Sequence, residues 1–519
     1  MVTSPHHLAS EAGLRVLREG GDAIEATIAM GAALAAVYPH MTAIGGDGFW
    51  LVSRGGAAPV AIDACGAAAS NATIDLYKQR GHSSIPWRGP LAANTVAGAV
   101  SGWGEAFALS REYGGRLPMS RLLEDAIWSA ENGFHVTASQ NELTAAKRAE
   151  LIDAPGFGAT FLADGVAPKT ASMMKLPALG RTLRRIGDEG AESFYRGGLA
   201  KQIAADLARI GAPVSGDDLA IHAAARRSPL SVSVRGAKLF NFPPPTQGVA
   251  SLMILALFDR LGVRDAEGFA HIHGLIEATK QAFLVRDKHV GDPASMSVDA
   301  QSLLEDSGLD KLAARIDMQR ALPWPQPANP GDTVWLGAID GNGIAVSYIQ
   351  SIFFEFGSGC VLEDSGFVWQ NRGASFFLEG QGPRVLAPGR KPFHTLNPAM
   401  ALFDDGRVMS YGTMGGEGQP QTQSAVFSRY GMFGEDLQAA ITAPRWLLGK
   451  TWGENSVTLK LESRFDPALV NALRNAGHDI EMLPDFTSTM GHAGALVQHV
   501  NGLIEGATDP RSDGAAIGF

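Results

Sequence analysis

Residues 26–37 read ATIAMGAALAAV, a run with no polar face at helical spacing, and nothing else in the chain restricts the fold as strongly. Asp22, with Glu25 three residues on, has the spacing of a capping box that starts a helix there, and Pro39 ends it. A helix apolar on every side has to be covered on every side, so the chain must build layers around it. Ahead of it, Leu8, Ala12 and Leu14 to Leu17 are spaced as a helix over residues 8–19, with Gly20-Gly21 as the stop. Behind it, Gly45-Gly46-Asp47-Gly48 breaks the pattern, and FWLVS and PVAID, separated by Arg54-Gly55-Gly56, predict a hairpin. The expected opening is therefore α, α, β, β.

With 519 residues, 45% of them hydrophobic, the chain can bury a large core. Its length allows two to four domains, but no Pro/Ser-rich linker marks a boundary, and one large layered fold fits as well. A net charge of −10 without a dense Lys/Arg run argues against nucleic acid or an anionic membrane as partner and favours a small molecule. Cys65 and Cys360 are far apart with no CxxC spacing, which indicates neither a disulfide framework nor a zinc site. The opening MVTSPHHLAS lacks signal-peptide regions and no apolar stretch reaches the ~18 residues of a membrane span, so the expected location is the cytoplasm. His6-His7 is read as solvated. His271 and His273, two apart on a helix predicted over 266–288, point to nearly opposite faces and do not make a metal pair. No metal and no cofactor are expected.

Between about 100 and 320 the periodicity is mostly helical, with segments near 117–132, 173–186, 195–210, 248–262 and 266–288. Pro/Gly clusters at 243–248 and 322–332 punctuate it. From 333 the texture changes to strands (VWLGAI, IAVSYIQS, PAMALF, GALVQHV) with helices near 420–441 and 467–476, giving an α+β class.

Two of those strands, joined by Asp340-Gly341-Asn342-Gly343, form a second hairpin. If its turn is centred between Gly341 and Asn342, paired positions sum to about 683, which sets Thr333 opposite Gln350 or Ser351 and brings hydroxyl near hydroxyl. The irregular, Pro-rich stretch that ends at Thr333 suits a chain break. A threonine hydroxyl is a weak nucleophile without a base beside it, and a newly freed α-amino group, titrating near about 8, is such a base within the same residue. Farther on, Gly415-Gly416 precedes a helix predicted from Pro420. Their backbone amides are candidates for binding a developing oxyanion, and a flexible turn is the alternative.

The chain resembles the gamma-glutamyltransferase family of N-terminal-nucleophile hydrolases over essentially its whole length. The resemblance is carried by residues 8–14 (LASEAGL), 17–23 (LREGGDA), 39–42 (PHMT), 45–49 (GGDGF), 95–98 (TVAG), 291–293 (GDP), 356–359 (FGSG), Gly415-Gly416 and 508–514 (TDPRSDG). It implies a four-layer αββα sandwich with additional helices from the large subunit, and self-cleavage between Asp332 and Thr333. The products would be a large subunit, 1–332, and a small one, 333–519, paired as a heterodimer, with a dimer of these left open. It implies further that Thr333 is the nucleophile, that Ser351 matches the family's second active-site threonine, and that Gly415 and Gly416 form the oxyanion hole.

The substrate-binding positions depart from the family. Where gamma-glutamyl enzymes carry acidic and amide side chains for the substrate α-amino group, this chain reads Gln370-Asn371-Arg372-Gly373-Ala374-Ser375. Their paired serines fall at His394 and Thr395, and Cys65 stands where the large-subunit arginine is expected. An arginine repels an ammonium and attracts a carboxylate. The implied substrate is a small amide whose acyl part bears a carboxylate and no α-amine, with Arg372, Asn371, Ser375, His394 and Thr395 as its contacts. A surface or interface salt bridge is the other reading of Arg372. A short segment between Asn371 and Lys391 favours hydrolysis over transfer. Among subgroups, the motifs are most similar to the one containing oxamate amidohydrolase and cephalosporin-acylase-like members, which puts oxamate first. Gamma-glutamyl compounds, glutaryl amides and cephalosporins are alternatives, and an unprocessed ligand-binding homologue is the non-enzyme alternative.

Overall fold

The computed structural model describes residues 1–324, 332–449 and 456–519. The apolar run forms the helix Ala23–Val37, capped by reciprocal bonds between Asp22 and Glu25, and all of its residues are buried. One side of it rests on the strands Asp332–Ile339 and Ile344–Phe353, and helices His7–Arg18, Ala99–Tyr113 and Glu124–Asn132 cover the rest.

Those two strands belong to a seven-stranded antiparallel sheet in the order 515–517, 2–4, 332–339, 344–353, 47–54, 60–64, 225–227. A six-stranded antiparallel sheet, in the order 504–508, 493–498, 408–413, 399–403, 237–241, 230–234, faces it. Alternation along the strands sends one set of side chains into the gap between sheets. Phe49, Leu51, Trp335 and Ile349 of the first meet Phe240, Met400, Val408 and Leu496 of the second. The outer face of the first sheet packs on the helices around Ala23–Val37, and the outer face of the second on helices Gly248–Arg260, Phe269–His289 and Gln419–Phe427. Three apolar interfaces thus separate four layers, α, β, β and α, with each buried Leu, Ile or Phe contributing about 1.5–3 kcal/mol. Additional helices, among them Pro177–Glu189 and Gly198–Ile210, extend the first helical layer.

Several expectations need correction. A strand, Val2–Ser4, precedes the first helix and pairs with both Ala515–Ile517 and Asp332–Ile339. The middle of the chain is not purely helical, because Leu230–Val234 and Ala237–Asn241 form an edge hairpin whose Gly236 turns at φ +77°. The helix expected over 420–441 is divided into Gln419–Phe427, a π turn at Ser428–Met432, and Leu437–Thr442. His6 is buried, not solvated: its ring caps the first helix by accepting from the Leu8 N–H, and burial holds its pKa down at about 3. Cys65 and Cys360 are both free and buried. Of the Pro-rich stretch at 322–332, residues 325–331 lie outside the described residues. No helix among the described residues is long and apolar enough to cross a membrane.

Candidate active site

The second hairpin fixes the site. Asp340 Oδ1 accepts from the N–H groups of Asn342 and Ile344, which closes the turn. Paired positions such as Val334 with Gln350 then sum to 684, one more than the turn arithmetic gives. That residue of difference puts Gln350 opposite Val334 and leaves Thr333 to Ser351. The ladder bulges between Gln350 and Phe353, and inside the bulge the Thr333 hydroxyl donates to Ser351 Oγ at 3.3 Å. Ser351 Oγ also accepts the Phe353 N–H at 2.8 Å. Bulges re-aim side chains at functional sites, and here the strain is explicit, since Phe353 and Phe356 sit at φ +83° and +59°. The glycines of 45–48 make room for the bulge, because a Cβ on Gly46 would lie 2.1 Å from the Ser351 carbonyl oxygen.

The register across the gap between sheets locates Gly415 and Gly416. Gly337 faces Ser410 and the Trp335 ring lies over Gly412, so the next residue on that face, Thr333, comes to the end of strand Val408–Thr413, where Met414, Gly415 and Gly416 turn away. Gly415 at φ +117° and Gly416 at φ +53° adopt a turn that only glycine makes without strain, ahead of helix Gln419–Phe427. The Gly416 carbonyl accepts from Gln247 Nε2 at 2.9 Å, an amide that also reaches the Thr395 carbonyl at 2.8 Å. Arg286 holds Gln247 Oε1 at 2.8 Å and Glu417 at 2.7 Å. Gln247, Arg286 and Glu417 therefore orient the peptide of the Gly415-Gly416 turn. None of the three is marked as functional in the sequence, and Gln247 lies in the Pro/Gly cluster at 243–248 that reads only as a break between helices.

Arg372 opens a short 3-10 turn, Arg372–Ser375, and its guanidinium is fully buried, which excludes the surface salt bridge. It stacks 3.7 Å over the Phe353 ring, and Nη1 and Nη2 lie 3.4 Å from Thr395 Oγ1, contacts at the long limit of a hydrogen bond. Its Nε has no partner, and among the described residues no carboxylate lies within ion-pair distance. Burial lowers its pKa to about 9, with Asp47 and Cys65 opposing the shift, so it remains charged at neutral pH. Phe353 links this cation to the nucleophile, its ring beneath the guanidinium and its N–H on Ser351.

Asp47 ties together the segments around His394 and Gln370. Oδ1 accepts from Gly66 N, Gly98 N and Gln370 Nε2 at 3.0–3.1 Å, and Oδ2 lies 2.9 Å from His394 Nε2. Burial raises its pKa to about 7 despite these bonds, and burial also keeps His394 neutral. His394 Nδ1 is buried without a partner. Cys65 is close by: its sulfur, Asp47 and His394 offer ligand atoms within 4.8 Å of one another. Segments far apart in sequence thus bring Cys65, Arg372, His394 and Thr395 together. Asn371 and Ser375 flank them with other partners: Asn371 bonds the Phe354 N–H and the Trp87 carbonyl, and Ser375 donates to the Phe393 carbonyl at 3.1 Å. The backbone of Asp332 lies opposite Phe353.

The family profile described as Gamma-glutamyltranspeptidase matches residues 9–519. Oxamate amidohydrolase proenzyme of Klebsiella pneumoniae is 55% identical over 520 residues, covering 100% of this chain and 98% of that protein. Glutathione hydrolase-like YwrD proenzyme of Bacillus subtilis is 39% identical over 522 residues, covering 100% and 98%. Among solved structures, cephalosporin acylase from Bacillus halodurans superposes with a TM-score of 0.90 at 32% identity, covering 99% of this chain and 94% of that one. A hairpin that offers a threonine to a neighbouring hydroxyl, in a four-layer fold shared over its full length with these proteins, places the chain in the gamma-glutamyltranspeptidase family of N-terminal-nucleophile hydrolases.

Proposed function

We propose that the chain is a self-processing amidohydrolase, cut between Asp332 and Thr333, that hydrolyses a small amide with a carboxylate next to the scissile carbonyl, oxamate being the favoured substrate. The observation that carries this reading is the buried, ion-pair-free guanidinium of Arg372, one aromatic ring removed from the nucleophile's partner Ser351. A buried cation with Asp47 only beyond ion-pair distance to offset it is costly, and a substrate carboxylate would supply a closer counter-charge. The short link from Arg372 through Phe353 to Ser351 suits an acyl group in which carboxylate and carbonyl are adjacent. The name of the Klebsiella relative agrees with that substrate.

In the cut enzyme the α-amine of Thr333 takes the hydroxyl proton as Oγ1 attacks the amide carbonyl. The resulting oxyanion is stabilised by the N–H groups of the Gly415-Gly416 turn. The amine returns the proton to the leaving nitrogen and ammonia departs, leaving an ester on Thr333. Water, deprotonated by the same amine, attacks the ester and releases the dicarboxylate, oxalate when oxamate is the substrate. Ser351 keeps the Thr333 oxygen in place throughout. A glutamyl substrate fits poorly, because its α-ammonium would meet Arg372 in a buried site.

The test is release of ammonia or amine from oxamate, glutaryl amides, glutamine and glutathione by the purified, two-chain enzyme. Oxamate is expected to have the highest kcat/KM. Faster turnover of glutathione or glutamine would overturn the substrate assignment.

A further inference from the structure

A second cluster lies in the other helical layer, away from Thr333. His273 and Glu277 are one turn apart on helix Phe269–His289 and share a face, and His478 approaches from the loop after helix Pro467–Asn475. All three are buried, and their ligand atoms lie within 4.8 Å of one another. We propose that His273, Glu277 and His478 form a divalent transition-metal site, best suited to zinc, that joins the two halves of the cut chain.

The hydrogen bonds define what each ring offers. His273 Nε2 lies 2.9 Å from the Asp317 carbonyl oxygen, which can only accept, so Nε2 carries the proton and the lone pair is on Nδ1. A metal-bound histidine has this arrangement, with its far nitrogen tied to a carbonyl. Nδ1 in turn lies 2.9 Å from His478 Nε2. Two nitrogens on a tetrahedral zinc ion at ~2.0–2.1 Å are about 3.3 Å apart, so the pair needs to open by only a few tenths of an ångström. His478 offers Nε2 once its proton moves to Nδ1. Glu277 is oriented by Lys280 Nζ at 2.7 Å on Oε1 and by the Leu322 N–H at 3.0 Å on Oε2, and each oxygen keeps a further lone pair. A two-histidine, one-carboxylate set suits zinc or cobalt. The Lys280 ammonium, 2.7 Å from Glu277 Oε1, opposes the ion and should weaken its binding.

His273 and Glu277 precede the cut and His478 follows it, so the bridging role, unlike binding itself, rests on cleavage before Thr333. The processed enzyme, stripped with chelator and then titrated with Zn2+ or Co2+, tests both. One equivalent per chain is expected, with visible absorption bands of tetrahedral cobalt. Both signals should disappear in H273A and H478A, persist in H499A at an unrelated surface histidine, weaken in E277Q and tighten in K280M, which removes the opposing charge. Failure of the wild type to bind, or binding unchanged in the H273A/H478A double variant, overturns the site. The uncut T333A chain should bind as well as the wild type, which keeps loss of processing distinct from loss of metal. Chelation should lower the temperature at which the two subunits of the cut enzyme separate; an unchanged temperature overturns the bridging role.

Discussion

Replacing Arg372 with methionine separates recognition of the substrate from the chemistry on it. In the free enzyme the guanidinium is buried over Phe353 with no carboxylate within ion-pair distance among the described residues, so it carries a desolvation cost that nothing in the pocket fully offsets. Exchange of a buried charge for an apolar side chain of similar length is often neutral or stabilising by about 1–4 kcal/mol, so Arg372→Met should melt at or above the wild-type temperature. With oxamate bound the sign reverses. The substrate carboxylate would be buried unpaired, a loss of about 3–5 kcal/mol, which at about 1.36 kcal/mol per tenfold lowers kcat/KM by roughly 150- to 5,000-fold. A neutral chromogenic amide has no carboxylate to lose, and its kcat/KM should change by less than about threefold. The assay is kcat/KM for both amides with wild type and variant, after electrophoresis has established equal processing, together with a thermal melt. Equal losses on the two substrates, or a variant markedly less stable than wild type, would refute the claim that Arg372 is an unpaired receptor for a carboxylate.

Thr333→Ala should leave a single chain of 54.6 kDa on a denaturing gel, whereas cleavage at 332/333 in that variant would remove Thr333 as nucleophile. Ser351→Ala removes the acceptor of the Thr333 hydroxyl bond and should lower kcat by roughly 10- to 100-fold with KM little changed, as steady-state kinetics on oxamate would show. Gln247→Ala frees the Gly416 carbonyl and leaves one Arg286 donor unmet, so kcat should drop by an order of magnitude and unfolding free energy by about 1–3 kcal/mol in denaturant titrations. Asp47 has a folded pKa raised to about 7, so the folded state holds its proton more tightly and its contribution to stability is lost as pH rises from about 4 through 7. The difference in stability between wild type and Asp47→Asn should therefore become less favourable to wild type over that range, by up to about 1.4 kcal/mol per pH unit, and a flat difference would contradict the raised pKa.

The layered fold was legible because residues 26–37 admit no exposed face, and the meeting of Thr333 with Ser351 because a tight Asp/Gly/Asn turn pins the hairpin register to within one residue. What remained hidden depended on contacts between distant segments. No local pattern announces that the ladder bulges after Gln350, that Phe353 turns to a positive φ, or that its ring then carries a guanidinium from residue 372. The edge hairpin at 230–241 did leave a signal, the alternation of Leu230, Val232 and Val234 before Arg235-Gly236, but it sits between long helices and was absorbed into them. Arg372, His394 and Thr395 were singled out through family position. Asp47, which ties Gly66, Gly98, Gln370 and His394 together, had only its glycine neighbours to mark it.

The strand order of the first sheet has a consequence for the proposed cut before Thr333. Asp332–Ile339 hydrogen-bonds on one side to Val2–Ser4, from the first part of the chain, and on the other to Ile344–Phe353, from the second, which in turn pairs with Asp47–Arg54. The two products of that proposed cut would share one sheet. Neither can fold alone without presenting raw strand edges, an invitation to aggregate. Exchange of one half for another would require unpicking this sheet, so the proposed cut would leave the two chains paired as they are in the precursor.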